Sequence, residues 1–287
     1  MADLDAFRAE TRAWLEANCP PEMREPVQGE EDVYWGGRRA TFKSDAQKAW
    51  FEACRDKGYT VPSWPKEYGG AGLSPAEAKV LREEMARISA RPPLSSFGIW
   101  MLGPALLHFG TEGQKKHFLN QIARGEIRWC QGYSEPGSGS DLVSLQTFGD
   151  DQGDHWVVNG QKIWTSRAEH SDLMLLLART TPREYVAKRT EGLSIFLVDM
   201  RAAVGKGLTI KPIRTLMNHS TTEVFFDDLR IPASALIGEE GQGFRYILSG
   251  MNAERILIAA ECVGDAKWFI EKATGYAKDR QVFGRPI

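Results

Sequence analysis

The chain has 287 residues, 42% hydrophobic and 26% charged, the make-up of a globular protein long enough for two domains and part of a third. A formal net charge of −2 offers no basic field for nucleic acid. Cys19, Cys54, Cys130 and Cys262 lie far apart with no CxxC pair, which argues against a metal site or a disulfide framework and for reduced thiols.

Met1 to Cys19 mixes acids with Leu4, Phe7, Trp14 and Leu15 and lacks the basic and apolar regions of a signal peptide, so it reads as a helix of the mature protein. No apolar run approaches the roughly 18 residues that span a membrane. From Asp3 to about Glu126 the pattern is helical. Ser44 opens a run through Trp50, Phe51 and Cys54 that ends near Gly58. Ser74-Pro75-Ala76-Glu77 combines an N-cap, a proline at the first helical position and an acid in the first turn, and predicts a helix to about Ser89. Thr111-Glu112-Gly113-Gln114 starts another, through Ala123.

From Ile127 to about Pro232 the period becomes two. Asn159-Gly160, between Trp156-Val157-Val158 and Lys162-Ile163-Trp164, predicts a type I′ hairpin. Leu173 to Ala178, Leu193 to Val198, Leu208 to Ile213 and Glu223 to Phe226 are further expected strands. From Gly243 to about Gln281 the chain is helical again, in one segment about 57 Å long. Ile256, Leu257, Ile258, Val263, Trp268, Phe269, Ile270 and Tyr276 cover several faces of that helix, which calls for burial on several sides. The order implies an N-terminal helical domain (1–126), a middle antiparallel β-barrel or sandwich (127–236) and the start of a C-terminal helical bundle (237–287).

The stretch Trp129-Cys130-Gln131-Gly132-Tyr133-Ser134-Glu135-Pro136-Gly137-Ser138-Gly139-Ser140-Asp141 and the segment ending Trp164-Thr165-Ser166 place hydroxyls, a Gly-rich turn and a Trp in one β-layer. That combination suits a flat aromatic cofactor, its ring covered by Trp and its polar edge met by hydroxyls and backbone N–H groups. Gly137 and Gly139 are no dinucleotide fingerprint, because no strand–turn–helix context with a third glycine follows.

Both segments resemble the flavin-binding signature of the acyl-CoA dehydrogenases. The likeness extends to Trp64-Pro65-Lys66-Glu67-Tyr68-Gly69-Gly70, Leu102-Gly103-Pro104, Phe109 to Lys115, and Thr222 to Pro232. It implies FAD as cofactor and α,β-dehydrogenation of an acyl-CoA thioester, an α-proton passing to a base and a β-hydride to flavin N5. By resemblance Gln131 to Ser140, Gly139 included, lie along the isoalloxazine and ribityl chain. Tyr133 and Ser134 meet the pyrimidine edge, Trp164 packs on the ring, Thr165 belongs to the same binding segment and Ser166 approaches N5. Ser140 also matches a serine near the acyl-CoA. The family more often has an aliphatic residue at position 133 and Thr at 166.

The resemblance also covers Asn252-Ala253-Glu254-Arg255, where Asn252 and Arg255 lie towards the substrate. Most members take their base from a Glu nearer the C-terminus, while a minority carry it one residue before this Arg, where Glu254 stands. Arg280 matches a residue that contacts the FAD of a neighbouring subunit. More helices follow Phe283-Gly284-Arg285-Pro286-Ile287 in the family, so a fragment, a truncated product or one partner of a split assembly is expected. An electron-transfer flavoprotein is the implied acceptor, in a cytoplasmic homo-oligomer (dimer or tetramer) or a hetero-oligomer with a complementary subunit, without nucleic acid or membrane. The alternatives are a related oxidase or flavin monooxygenase, and a non-catalytic partner subunit.

Overall fold

The computed structural model describes residues 3–216 and 220–287, so Met1 and Ala2 of the expected first helix lie outside the described residues. The helical layer contains α1 (Leu4–Asn18), α2 (Asp45–Asp56) and α3 (Pro75–Arg87). A π-turn at Gly98–Leu102 leads into α4 (Gly103–Phe109), and α5 (Glu112–Ala123) follows. Their starts are written in side chains. Asp3 caps α1 and Ser44 caps α2, while Ser74–Glu77 and Thr111–Gln114 form capping boxes that satisfy orphan N–H groups reciprocally.

Glu84 of α3 ties α1 down. Its 2%-exposed carboxylate accepts from Arg8 at 3.0 Å, Arg12 at 2.9 Å and Arg87 at 2.7 Å. The Arg12 hydrogen bond, with help from Arg87 and Arg8, holds the carboxyl down at about 2 against an ordinary value of 4.5. A carboxyl depressed in the folded state contributes stability that is present above its unfolded value and lost as pH falls through its folded one. The melting-temperature gap between the parent and Glu84→Gln should therefore be widest near neutral pH and close between pH 4.5 and about 2. A gap independent of pH would contradict this.

The strands are β1 (Trp129–Gly132), β2 (Phe148–Asp151), β3 (His155–Ser166), β4 (Leu173–Arg179) and β5 (Leu193–Asp199). A short α6 (Met200–Ala203) precedes β6 (Leu208–Ile213), β7 (Thr221–Pro232) and β8 (Leu236–Ile237). They pair in the order β6-β7-β3-β2-β4-β5-β8, with β1 also on β4. Two expectations are corrected here. The sheet is not a closed barrel, since β6 and β8 are its edges and do not pair among the described residues. Nor is it purely antiparallel, because β1 and β2 both run parallel to β4. They lie in succession along one edge of β4, and the chain between them, 133–147, leaves the sheet.

The sheet is covered on both faces, which is why every residue of β4 is buried. One core joins Leu102, Leu106, Leu119 and Ile122 of the helices to Leu173, Leu175, Leu177, Ile195 and Tyr246. The other lies between β1, β4 and β5 on one side and β3, β6 and β7 on the other, through Met174, Phe196, Trp156, Val158, Leu208 and Val224.

The expected hairpin at Asn159-Gly160 does not form. Both residues lie inside the continuous 12-residue β3, paired antiparallel with β7. Between the pairs Val158–Leu229 and Gly160–Phe226 one extra residue sits on β7, where Asp228 takes a φ of 47°. Asn159 Nδ2 donates to Asp228 Oδ1 at 2.9 Å, and Asp228 N–H donates back to Asn159 Oδ1 at 2.8 Å, closing that bulge. Gly160 answers a different need. A Cβ there would lie 2.5 Å from Thr147 Oγ1 and 2.7 Å from Thr147 Cα, at a φ of +146°. Gly160→Ala should cost about 1–3 kcal/mol of stability, and an unchanged melting temperature would contradict the close approach.

The long helix is α7 (Gly243–Asp279), 37 residues or about 55 Å, followed by a small hairpin of β9 (Gln281–Val282) and β10 (Arg285–Pro286). Among its described residues the buried ones, such as Tyr246 and Ile247, lie at its start; Ile256, Leu257, Val263, Trp268, Phe269 and Ile270 are exposed. Among the described residues no helix is long and apolar enough to cross a membrane. Cys19, Cys54 and Cys130 are buried free thiols and Cys262 is exposed.

Candidate functional site

Four parts of the chain converge on a cleft of about 370 Å³, within the range of small-molecule pockets. β1 contributes Gln131, the chain leaving it contributes Tyr133, Ser134, Gly139 and Leu142, and the end of β3 contributes Ile163, Trp164 and Ser166. Met251 and Glu254 of α7 face them, with Phe97 and Met101 from around the π-turn. A larger cleft of 480 Å³ lies beside Gly69 and Gly70. Four of the charged residues that line it pair with one another, Arg55 with Asp56 at 2.8 Å and Lys57 with Glu10 at 3.4 Å.

A second bulge sets Trp164. Between the pairs Lys162–Val224 and Thr165–Thr222 the extra residue is on β3, and Trp164 adopts a left-handed φ of 61°. One extra residue reverses the inside–outside alternation of a strand. Trp156, Val158 and Lys162 point inward at even positions, but after the bulge Thr165 is inward and Trp164 is 60% exposed. A large ring is thus held open to the cleft on a rigid strand.

On the opposite side, Gln131 Nε2 donates to Glu254 Oε1 at 3.2 Å. Burial pushes the Glu254 carboxyl up, against this hydrogen bond and the attraction of Arg255. Burial, and then the charge of Glu254, pushes the Tyr133 phenol up as well. Arg255 itself turns along the helix, its Nη1 donating to Asn252 Oδ1 at 2.7 Å. Behind the cleft, fully buried Lys162 donates to Tyr133 O at 3.0 Å and to Glu135 Oε1 at 2.9 Å. Burial pulls the Lys162 ammonium down. Burial raises the Glu135 carboxyl, but the Lys162 charge and the Thr147 and Gln146 hydrogen bonds outweigh that and leave it below its usual value.

Of the residues singled out in the sequence, the fold brings Gln131, Tyr133, Ser134, Gly139, Trp164, Ser166 and Glu254 into one cleft. Thr165 is buried, its hydroxyl without a partner among the described residues, and Ser140, Asn252 and Arg255 are exposed outside the cleft lining. Arg280 caps the far end of α7, about 39 Å along the axis from Glu254. One copy of the chain does not bring both to the same cleft.

The chain matches the acyl-CoA dehydrogenase N-terminal domain over residues 1–126, the middle domain over 130–229 and the C-terminal domain over 241–287. It belongs to the acyl-CoA dehydrogenase family. It is 40% identical over 256 residues to the acyl-CoA dehydrogenase IpdE1 of Mycobacterium tuberculosis, spanning 89% of this chain and 64% of the relative's length. The Tcur3481–Tcur3483 steroid acyl-CoA dehydrogenase has a similar structure, with a TM-score of 0.68 and 33% identity, covering all of this chain and 70% of that one. So does the ChsE4–ChsE5 complex of Mycobacterium tuberculosis, at 0.65 and 30%, covering 88% and 60%. The chain thus spans less than two thirds of the length of IpdE1.

Membership in the acyl-CoA dehydrogenases implies a flavin, and the cleft residues fit one. Trp164 offers an open ring face. Among the described residues nothing takes up the Ser134 or Ser166 hydroxyls, although both line the cleft. The apolar walls Phe97, Met101, Leu142, Ile163 and Met251 were missed in the sequence. They come from four separate segments and share no spacing that could have marked them.

Proposed function

We propose that this chain carries the flavin-facing half of an FAD-dependent acyl-CoA dehydrogenase, with Glu254 as the base that removes the α-proton of an acyl-CoA thioester. The observation that carries this reading is the presence of Glu254 and Trp164 in one cleft, with the carboxyl raised by burial. A raised carboxyl is a better proton acceptor once ionised. Gln131 holds that carboxylate from β1, and adjacent Arg255 is engaged with Asn252 and leaves it free to react. Trp164 supplies the wall on which a flat ring packs. The Ser134 and Ser166 hydroxyls and the nearby backbone meet its polar edge. Bound flavin would supply the acceptor for the β-hydride. Phe97, Met101 and Met251 exclude water from the acyl chain.

A neighbouring cleft of about 390 Å³ supports a phosphate-bearing carrier such as CoA. It lies across the turn Leu142–Ser144 and is lined by Arg179, Arg183 and Arg189. Among the described residues Arg179 and Arg183 hydrogen-bond only to backbone carbonyls, so their charge is available to an anion. Ser140 stays in this reading as a residue on the substrate path, and Thr165 as part of the strand that presents Trp164 and Ser166. The exposed apolar faces of α7 support assembly into a homo-oligomer or with a second chain, where Arg280 would serve a neighbouring copy. A cytoplasmic place and an electron-transfer flavoprotein as acceptor belong to the same proposal.

The test is to load the chain with FAD and mix it anaerobically with saturated acyl-CoAs, from short chains to steroid-bearing thioesters. Loss of the oxidised flavin band with formation of an enoyl-CoA is the expected result. No bleaching by any thioester, or rapid air oxidation of chemically reduced flavin without acyl-CoA, would count against a dehydrogenase.

A further inference from the structure

Lys162 is a buried charge beside the cleft that the reaction does not use. Its ammonium, wholly removed from solvent, sits on β3 two residues before Trp164. Glu135, also buried, follows Ser134. Lys162 Nζ donates to Tyr133 O at 3.0 Å and to Glu135 Oε1 at 2.9 Å. The same carboxylate accepts from Gln146 N–H at 2.6 Å and Thr147 N–H at 2.8 Å. Beside it, Ile163 N–H donates to Ser134 O at 2.9 Å. Two side chains therefore join three stretches of backbone: the loop that leaves the sheet after β1, the entry to β2, and the end of β3.

We propose that the Lys162–Glu135 pair is a buried strut that positions the Tyr133–Ser134 loop opposite the Trp164–Ser166 ledge and so sets how tightly the cleft holds its flavin. The proposal rests on the flavin reading above. The physical case begins with cost. Burying two ions is so unfavourable that a well-packed apolar pair of the same volume often serves stability equally well. What an apolar pair lacks is direction. The ammonium fixes Tyr133 C=O inward, and the carboxylate fixes the N–H groups of Gln146 and Thr147 just ahead of β2. With Tyr133 C=O and Ser134 C=O both held towards β3, the opposite side of this loop is presented to the cleft. Lys162 is also the last inward residue before the bulge that exposes Trp164. The strut thus links the two walls of the cleft from behind, without touching its contents.

The experiment uses Lys162→Met/Glu135→Gln, because either single change leaves one ion buried alone and risks the fold. In the double variant both charges go, and the Gln carbonyl still accepts from Thr147 or Gln146. The melting temperature should stay within about 5 °C of the parent. In the flavin-free protein, amide exchange at Tyr133, Ser134 and Ile163 should speed up about tenfold or more while β4 and β5 amides are unchanged. The FAD dissociation constant should rise about tenfold or more, with a shifted visible band of the bound flavin. A control, Asp32→Asn/Lys43→Met, removes an ion pair of 2.7 Å in the helical layer and should leave FAD affinity alone. Parent-like FAD affinity in the double variant overturns the strut, as does an equal loss of FAD affinity in the control. If the parent chain binds no FAD, the flavin reading itself falls and the proposal with it.

Discussion

Glu254→Gln should retain FAD and acyl-CoA while the rate of flavin bleaching falls by about two to four decades, the usual size of a lost general base. The change is nearly isosteric, and Gln131, which donates to Glu254 Oε1, can donate equally to an amide oxygen. Binding is therefore expected to change little. The pH dependence gives an independent sign. Burial raises the carboxyl above its ordinary value of 4.5, and only the ionised form accepts the α-proton. Bleaching by the parent should slow as pH falls through a value above 4.5, and the variant's residual rate should lack that limb. Stopped-flow absorbance at several pH values measures both. A rate for Glu254→Gln equal to the parent's would move the base to another residue.

Trp164→Ala should weaken FAD binding by about ten- to a hundredfold, since it removes ring stacking of about 0.5–1.5 kcal/mol together with about 1–1.5 kcal/mol from burial of the indole's apolar face. It should leave the flavin-free fold almost untouched. The indole is 60% exposed, so its removal opens no cavity, and its left-handed φ of 61° is no harder for Ala than for Trp. Fluorescence titration with FAD and thermal denaturation of the flavin-free chain separate the two effects. A melting temperature that drops in step with FAD affinity would return Trp164 to a packing role.

Helix starts were legible in the sequence wherever one side chain does the work, as at Ser44, Ser74 and Thr111. The strands of hydrophobic β4 and β5 were legible too, because both faces are covered. Asn159-Gly160 misled for a definable reason. The same residues that favour a tight turn also suit a bulge partner and a close backbone approach, and only the β7 register tells them apart. Trp164 in a strand looks like core until the extra residue in β3 reverses the alternation, and that residue has no sequence mark. Lys162 was invisible as a buried ion, since Lys is almost never fully buried unless paired and its partner Glu135 is 27 positions away. Glu254 was readable only through its place beside Arg255 in a family motif. The strand-to-helix contact with Gln131 that brings it to the cleft spans 123 positions.

The most direct measurement is a crystal structure of the chain loaded with FAD and a non-oxidisable acyl-CoA thioether. The expected density has the flavin ring against Trp164, its polar edge towards Ser134 and Ser166, and the acyl α-carbon beside the Glu254 carboxylate. Flavin bound away from Trp164, or an α-carbon on the far side of the cleft from Glu254, would contradict the assignment.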